Sequence, residues 1–189
     1  MIKRLLLSTL LLTSGFADEI PEPQKIGPTT EAFAEKEAKR YRLKVGVFLV
    51  LMQEDQVLLL KRFNTGIADG NYVVPMGALD PGETVTTAAI REAQEEANIH
   101  LEPEDVRVRH VVHHLYTMPD GTTFEQMDIF FVATNYTGTP TNMEPTKCDE
   151  LKFYPITALP PQTDPLIFHA LGKIHKGESY SEFGWPDEQ

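Results

Sequence analysis

The sequence predicts an α/β sandwich. Strand-length apolar runs recur at 45–52, 57–60, 106–117 and 124–134. One helix-period stretch over 84–97 carries Ala89, Ala93 and Ala97 at every fourth position. Strand-like and helix-like segments interleave instead of forming blocks, which favours helices layered on a sheet.

In chain order, Lys3 and Arg4 precede an apolar run from Leu5 to Leu12, and Gly15-Phe16-Ala17 gives a small-x-small cleavage site. This is the pattern of an export leader over 1–17, too short to span a bilayer as a helix of about 20 residues. Its removal would leave a periplasmic or secreted chain with no integral membrane span; without cleavage the chain would stay cytoplasmic. Residues 18–42 read as a linker, with Pro21, Pro23, Gly27 and Pro28, then a short helix capped at Thr29 or Thr30. A domain over 43–176 opens on two buried strands, 45–52 and 57–60, around the hairpin Gln53-Glu54-Asp55-Gln56. A glycine-containing loop, 63–71, leads through Tyr72-Val73-Val74 to Pro75. The helix over 84–97 sets its alanine stripe close against a sheet. Strands 106–117 and 124–134 meet at Pro119-Asp120-Gly121, a sharp turn signal, and a short strand covers 151–154. A helix over 165–176 faces Leu166, Phe168 or His169, and Ile174 inward. Residues 177–189 form a tail whose aromatics pack on the domain.

The 189 residues suffice for one full core, and 41% hydrophobic content is ordinary for a globular protein. A formal charge of −11 argues against a broad electrostatic hold on DNA or anionic membrane. It also means that a polyphosphate ligand needs bridging cations and a local basic patch. The lone Cys148 excludes an intrachain disulfide and reads as a small buried apolar residue. His110 and His114 share a strand face and His113 points the other way, but no third ligand stands at zinc spacing. His169 and His175 read as helix-surface residues. Nothing in the composition fixes the oligomeric state.

The most informative stretch is 77–99. It places Glu92, Glu95 and Glu96 on one helical face, with Arg91 beside them and Glu83 upstream. Like charges four apart cost a helix roughly 0.2–0.5 kcal/mol. A cation removes that cost, and oxygen-only ligands select Mg²⁺ or Mn²⁺ over zinc.

The spacing of Gly77, Glu83, Arg91, Glu92, Glu95 and Glu96 resembles the Nudix box, a match expected by chance on the order of 10⁻⁵ in a chain this long. The closing glycine of the box is Asn98 here, the next-best residue for a left-handed helix end. Before the box the run is Pro75-Met76-Gly77, where the family usually has paired glycines. The resemblance to Nudix hydrolases extends loosely over 43–176 and implies the family's α/β/α sandwich with a mixed central β-sheet. It implies a divalent-metal-dependent hydrolase in which water attacks phosphorus and splits the diphosphate linkage of a small nucleotide. Glu92, Glu95 and Glu96 would hold Mg²⁺ or Mn²⁺ together with the backbone carbonyl of Met76. Gly77, Glu83 and Arg91 would be structural, with Glu83 as a partner for Arg91.

Phe124 to Phe131 resembles the strand that supplies a further carboxylate in triphosphate-cleaving members, which favours Glu125 as extra ligand or base and puts Asp128 on the opposite face. The regions 135–140 and 148–151 resemble oxidised-purine-nucleotide hydrolases. In that alignment Asp164 lies near the purine pocket and could read a base edge; its position also suits the cap of the following helix. The alternative is a nucleotide-binding regulatory module of the same fold without turnover. Such modules typically lose box carboxylates, and all are present here.

Overall fold

The computed structural model describes residues 30–118 and 120–186. The leader and linker expected over 1–28 lie outside the described residues, as does Pro119. The chain divides into two units, at Tyr41 and Arg42. In the first, α1 (Glu31–Ala38) is a two-turn helix whose cap Thr30 accepts the amide hydrogen of Phe33. It buries no side chain.

The second unit holds eight strands and two helices among its described residues. These are β1 (Lys44–Gln53), β2 (Gln56–Arg62), β3 (Tyr72–Val73), β4 (Met76–Ala78), α2 (Val85–Ala97), β5 (Val106–Thr117), β6 (Thr123–Ala133), β7 (Cys148–Pro155), α3 (Pro165–His175) and β8 (Tyr180–Phe183). The main path is β3-β2-β1-β6-β5-β8, with β4 added to β1 and β7 to β2. β1–β6 and β5–β8 are parallel and the other pairs antiparallel, so the sheet is mixed.

β1 is buried on both faces because its side chains feed two cores in alternation. Val47, Leu49 and Leu51 meet Ala88, Ala89, Ala93 and Ala97 of α2. Phe48 and Val50 meet Phe130 and the α3 residues Leu166, Ile167, Ala170 and Leu171. The two helices therefore cover opposite faces of the sheet, an α/β/α sandwich. The α2 stripe is alanine because small side chains bring the helix axis near the strands.

Two strands and one helix face differ from the sequence reading. The strand expected at 151–154 runs from Cys148 to Pro155, since β2 offers it a long antiparallel partner. The tail set apart beyond 176 supplies β8, which pairs with β5 from Val111↔Tyr180 to His114↔Phe183. In α3 the inward face carries Leu166, Ile167, Ala170 and Leu171, and Phe168 is exposed. His169 is not a surface residue: it is half-buried and hydrogen-bonds Ser181 Oγ at 2.8 Å.

Candidate active site

A cavity of about 1010 Å³ opens where β1, β4 and α2 meet the far ends of β5 and β6. One wall is acidic. Glu92, Glu95 and Glu96 line it from α2, and Glu144 joins them from the loop before β7. Helix α2 aims the three glutamates because both its ends are fixed. Thr84 caps it by accepting from Thr87 N, and Asn98 closes it at φ 56°, ψ 35°, the left-handed conformation asparagine tolerates.

Gly77 is demanded by packing. A Cβ at that position would overlap the Glu92 carboxylate, so only glycine lets the helix glutamate lie against β4. Neighbouring Met76 lines the cavity from an ordinary strand conformation, and its amide donates to Glu96 Oε2 at 2.9 Å. Arg91 forms the hub. Its Nη2 and Nε reach the two oxygens of Glu83 at 2.8 and 3.2 Å, a bidentate pair. Nη2 also donates to the Ala78 carbonyl at 3.1 Å, while Nη1 reaches Glu92 at 2.6 Å and Glu95 at 3.2 Å. Glu83 in turn accepts the amide of Asp80 at 2.8 Å. One guanidinium thus ties the box loop, β4 and α2 together.

The field of the wall is strongly negative. Burial pushes the Glu96 carboxyl up to about 8; the charges of Glu92 and Glu144 add to the rise, and the Met76 amide and Arg62 oppose it. Glu92 is also raised, first by burial and then by Glu95 and Glu144, against the pull of Arg91. Among the described residues no three His, Cys, Asp or Glu side chains form a ready-made metal cage. The donors are nevertheless all hard carboxylate oxygens, two of them held above their ordinary pKa by desolvation and mutual charge. A divalent cation relieves that imbalance, so the donor set fits Mg²⁺ or Mn²⁺.

The structure does not bring Glu125 to this wall. Its strand face is the one opposite the cavity, and its carboxylate meets His113 Nε2 at 2.7 Å. On β6 the cavity is lined by Phe124 and Gln126 instead. Asp164 caps α3 by accepting from Leu166 N at 2.9 Å, and its other oxygen takes Asn71 Nδ2 at 3.4 Å. Several lining residues were missed from sequence: Arg62, Glu144 and Lys147 lie outside any motif and converge only in space, and Gln126 stands in the strand that was read for its neighbour Glu125. Arg62 is braced by the Ile67 carbonyl at 2.8 Å and Thr65 Oγ1 at 3.0 Å, and Lys147 pairs with Glu144 at 2.6 Å. Arg62 and Lys147 bring positive charge to the cavity of a chain whose formal charge is −11.

A mixed sheet between two helices, with an arginine-braced glutamate helix along its cleft, defines a MutT-like hydrolase fold. The NUDIX domain model matches residues 40–180, and the chain belongs to that family, whose hydrolases act on pyrophosphate bonds and generally use divalent metals. Among solved structures, the MutT NUDIX hydrolase from Burkholderia pseudomallei superposes with a TM-score of 0.63 at 26% identity, covering 70% of this chain and 98% of that one. A MutT protein from Bacillus halodurans gives 0.59 at 22% identity over 78% of this chain and 94% of that one, a likeness of fold. Among sequences, the 8-oxo-dGDP phosphatase NUDT18 of Homo sapiens is 41% identical over 54 residues, 29% of this chain but 16% of that protein. The RNA pyrophosphohydrolase of Erythrobacter litoralis (strain HTCC2594) is 29% identical over 118 residues, 59% of this chain and 71% of that protein.

Proposed function

We propose that this protein is a divalent-metal-dependent hydrolase that cleaves the diphosphate linkage of a nucleoside di- or triphosphate, or of a related small nucleotide, by attack of water on phosphorus. The observation that carries this reading is the wall of Glu92, Glu95, Glu96 and Glu144, with Arg62 and Lys147 lining the same cavity and Phe48, Tyr116 and Phe124 among its other lining residues. The names of the relatives, a nucleoside-diphosphate phosphatase and a pyrophosphohydrolase, fit it.

Glu92, Glu95 and Glu96 would hold Mg²⁺ or Mn²⁺, and the Met76 carbonyl on β4, beside Glu96, would be a further oxygen donor. Such an ion supplies charge neutralisation and Lewis acidity toward phosphoryl oxygens. Arg91 fixes the directions of the Glu92 and Glu95 carboxylates and leaves the outer oxygens to the cavity. Arg62 and Lys147 orient the phosphate chain, and a carboxylate of the wall accepts the proton of the attacking water.

With Mg²⁺ present, Glu95→Gln and Glu96→Gln each lower turnover by about 10²-fold or more with melting temperature maintained. Mass-resolved product release from a panel of nucleotide diphosphates and triphosphates checks this. Turnover equal to wild type in both variants would refute the assignment, and nucleotide binding without product would favour a regulatory module.

We further propose that residues 1–17 direct export and that the mature chain begins at Asp18. N-terminal sequencing of native material reads this directly; a retained Met1 refutes it.

A further inference from the structure

Gln126, on the β6 side of the cavity lining, belongs to a locked polar group. Asp128 on β6 is fully buried, and each of its oxygens has a side-chain nitrogen in hydrogen-bond contact. His114 Nδ1 lies 3.0 Å from Oδ2, and the Gln126 side-chain amide nitrogen meets Oδ1. A carboxylate can only accept, so Gln126 must present its NH₂ to Asp128 and turn its carbonyl oxygen away. The reverse orientation would set two acceptors against each other.

The lock is held from both neighbouring strands. His114 stands opposite Gln126 in the β5–β6 register, and its ring packs against those of Tyr116 and Phe183 at centroid distances of 3.5 and 5.3 Å. Gly46 stands beside Asp128 in the β1–β6 register. A Cβ there would come within 2.8 Å of Asp128 Oδ1 and 2.9 Å of Gln126 Nε2, so the missing side chain is what lets the amide reach the acid. Two residues along the same strand face, Phe124 also lines the cavity. Its ring is 41% exposed, with Lys44 Nζ 5.2 Å from its centroid.

We propose that Gln126 is a specificity-determining residue of this cleft: held by the Asp128–His114 pair, it offers a fixed carbonyl acceptor to an N–H donor on the edge of a nucleobase stacked on Phe124. The inference deepens the functional reading above and rests on it. An amide free to rotate meets donors and acceptors equally well, whereas a fixed one rejects a base that has lost its donor. The aromatic face supplies affinity for any base, since every base has a π-face, and leaves discrimination to the edge. Asp128 and His114 touch no ligand in this scheme and act as positioning residues through Gln126.

The test compares nucleoside triphosphates that differ in one donor: guanosine against inosine, adenosine against purine riboside, and uridine against 3-methyluridine. With Mg²⁺, wild-type kcat/KM falls by roughly tenfold or more in at least one pair when the donor is deleted. Gln126→Leu removes both ends of the amide, and Gln126→Lys keeps a donor facing Asp128 while removing the acceptor. Both variants abolish that preference, and Gln126→Lys retains the wild-type melting temperature. Asp128→Asn, which can meet the amide with either end, narrows the preference more than it lowers turnover of the better substrate. A wild type indifferent to every pair, or a preference that survives Gln126→Lys, overturns the inference and leaves the hydrolase reading standing. Failure of the wild type to hydrolyse any member of the panel overturns both.

Discussion

At the scale of single residues, the box is a packing constraint as much as a chemical one. Gly77→Ala sets a methyl group onto the Glu92 carboxylate. Overpacking of this kind costs about 1–3 kcal/mol, and displacement of a site carboxylate by an ångström can cost about 10²-fold in rate. The variant is therefore expected to melt lower and to lose activity more than it loses fold; wild-type kcat/KM in Gly77→Ala would contradict the close approach. Glu96 makes a pH prediction. Below about 4.5 its carboxyl is protonated in both folded and unfolded chains, and between there and about 8 only the unfolded chain ionises it. The metal-free protein should therefore lose stability as pH rises through that window. Glu96→Gln should flatten the decline, and Mg²⁺ should restore stability most at the alkaline end. Melting temperatures at pH 5, 6.5 and 8, with and without Mg²⁺, check this. A metal-free wild type that grows more stable across the window contradicts it.

At the scale of elements, helix α2 was readable because its signals are local: the Thr84 cap, the alanine repeat and the Asn98 end each act over a few residues of chain. β8 was not readable for the opposite reason. Tyr180-Ser181-Glu182-Phe183 is short and half polar, and it becomes a strand only because β5 offers an edge and buried His110 offers Ser181 a partner at 2.8 Å. Truncation after Lys176 removes that partner from both His110 and His169, along with the bond from Trp185 Nε1 to the His113 carbonyl. The melting temperature should fall by about 10 °C or more. A truncated protein that melts with the full chain would show that β8 adds nothing to the sandwich. Glu125 and Gln126 make the same point within one strand: a step of one residue moves a side chain from the cavity to the far face, and sequence similarity alone does not fix that register.

At the scale of the whole molecule, charge and architecture work together. A formal charge of −11 does not draw an anion by its overall field, and the positive charge of the cavity, Arg62 and Lys147, is delivered to one place by the fold. They come from the end of β2 and from the loop before β7, 85 positions apart, and they meet because β7 lies along β2. The two cores on either side of β1 hold that arrangement rigid: α2 carries the acids against one face, and α3 closes the other.

The sequence by itself determined the sandwich, the acidic helix and the bracing arginine, because apolar period, helix caps and box spacing are written in residues close together along the chain. Only the tertiary structure decided that Glu144, Arg62, Lys147 and Gln126 share the cavity, that Glu125 does not, and that the tail completes the sheet. Those outcomes depend on strand register and on contacts between residues far apart in sequence, and neither leaves a local pattern to read.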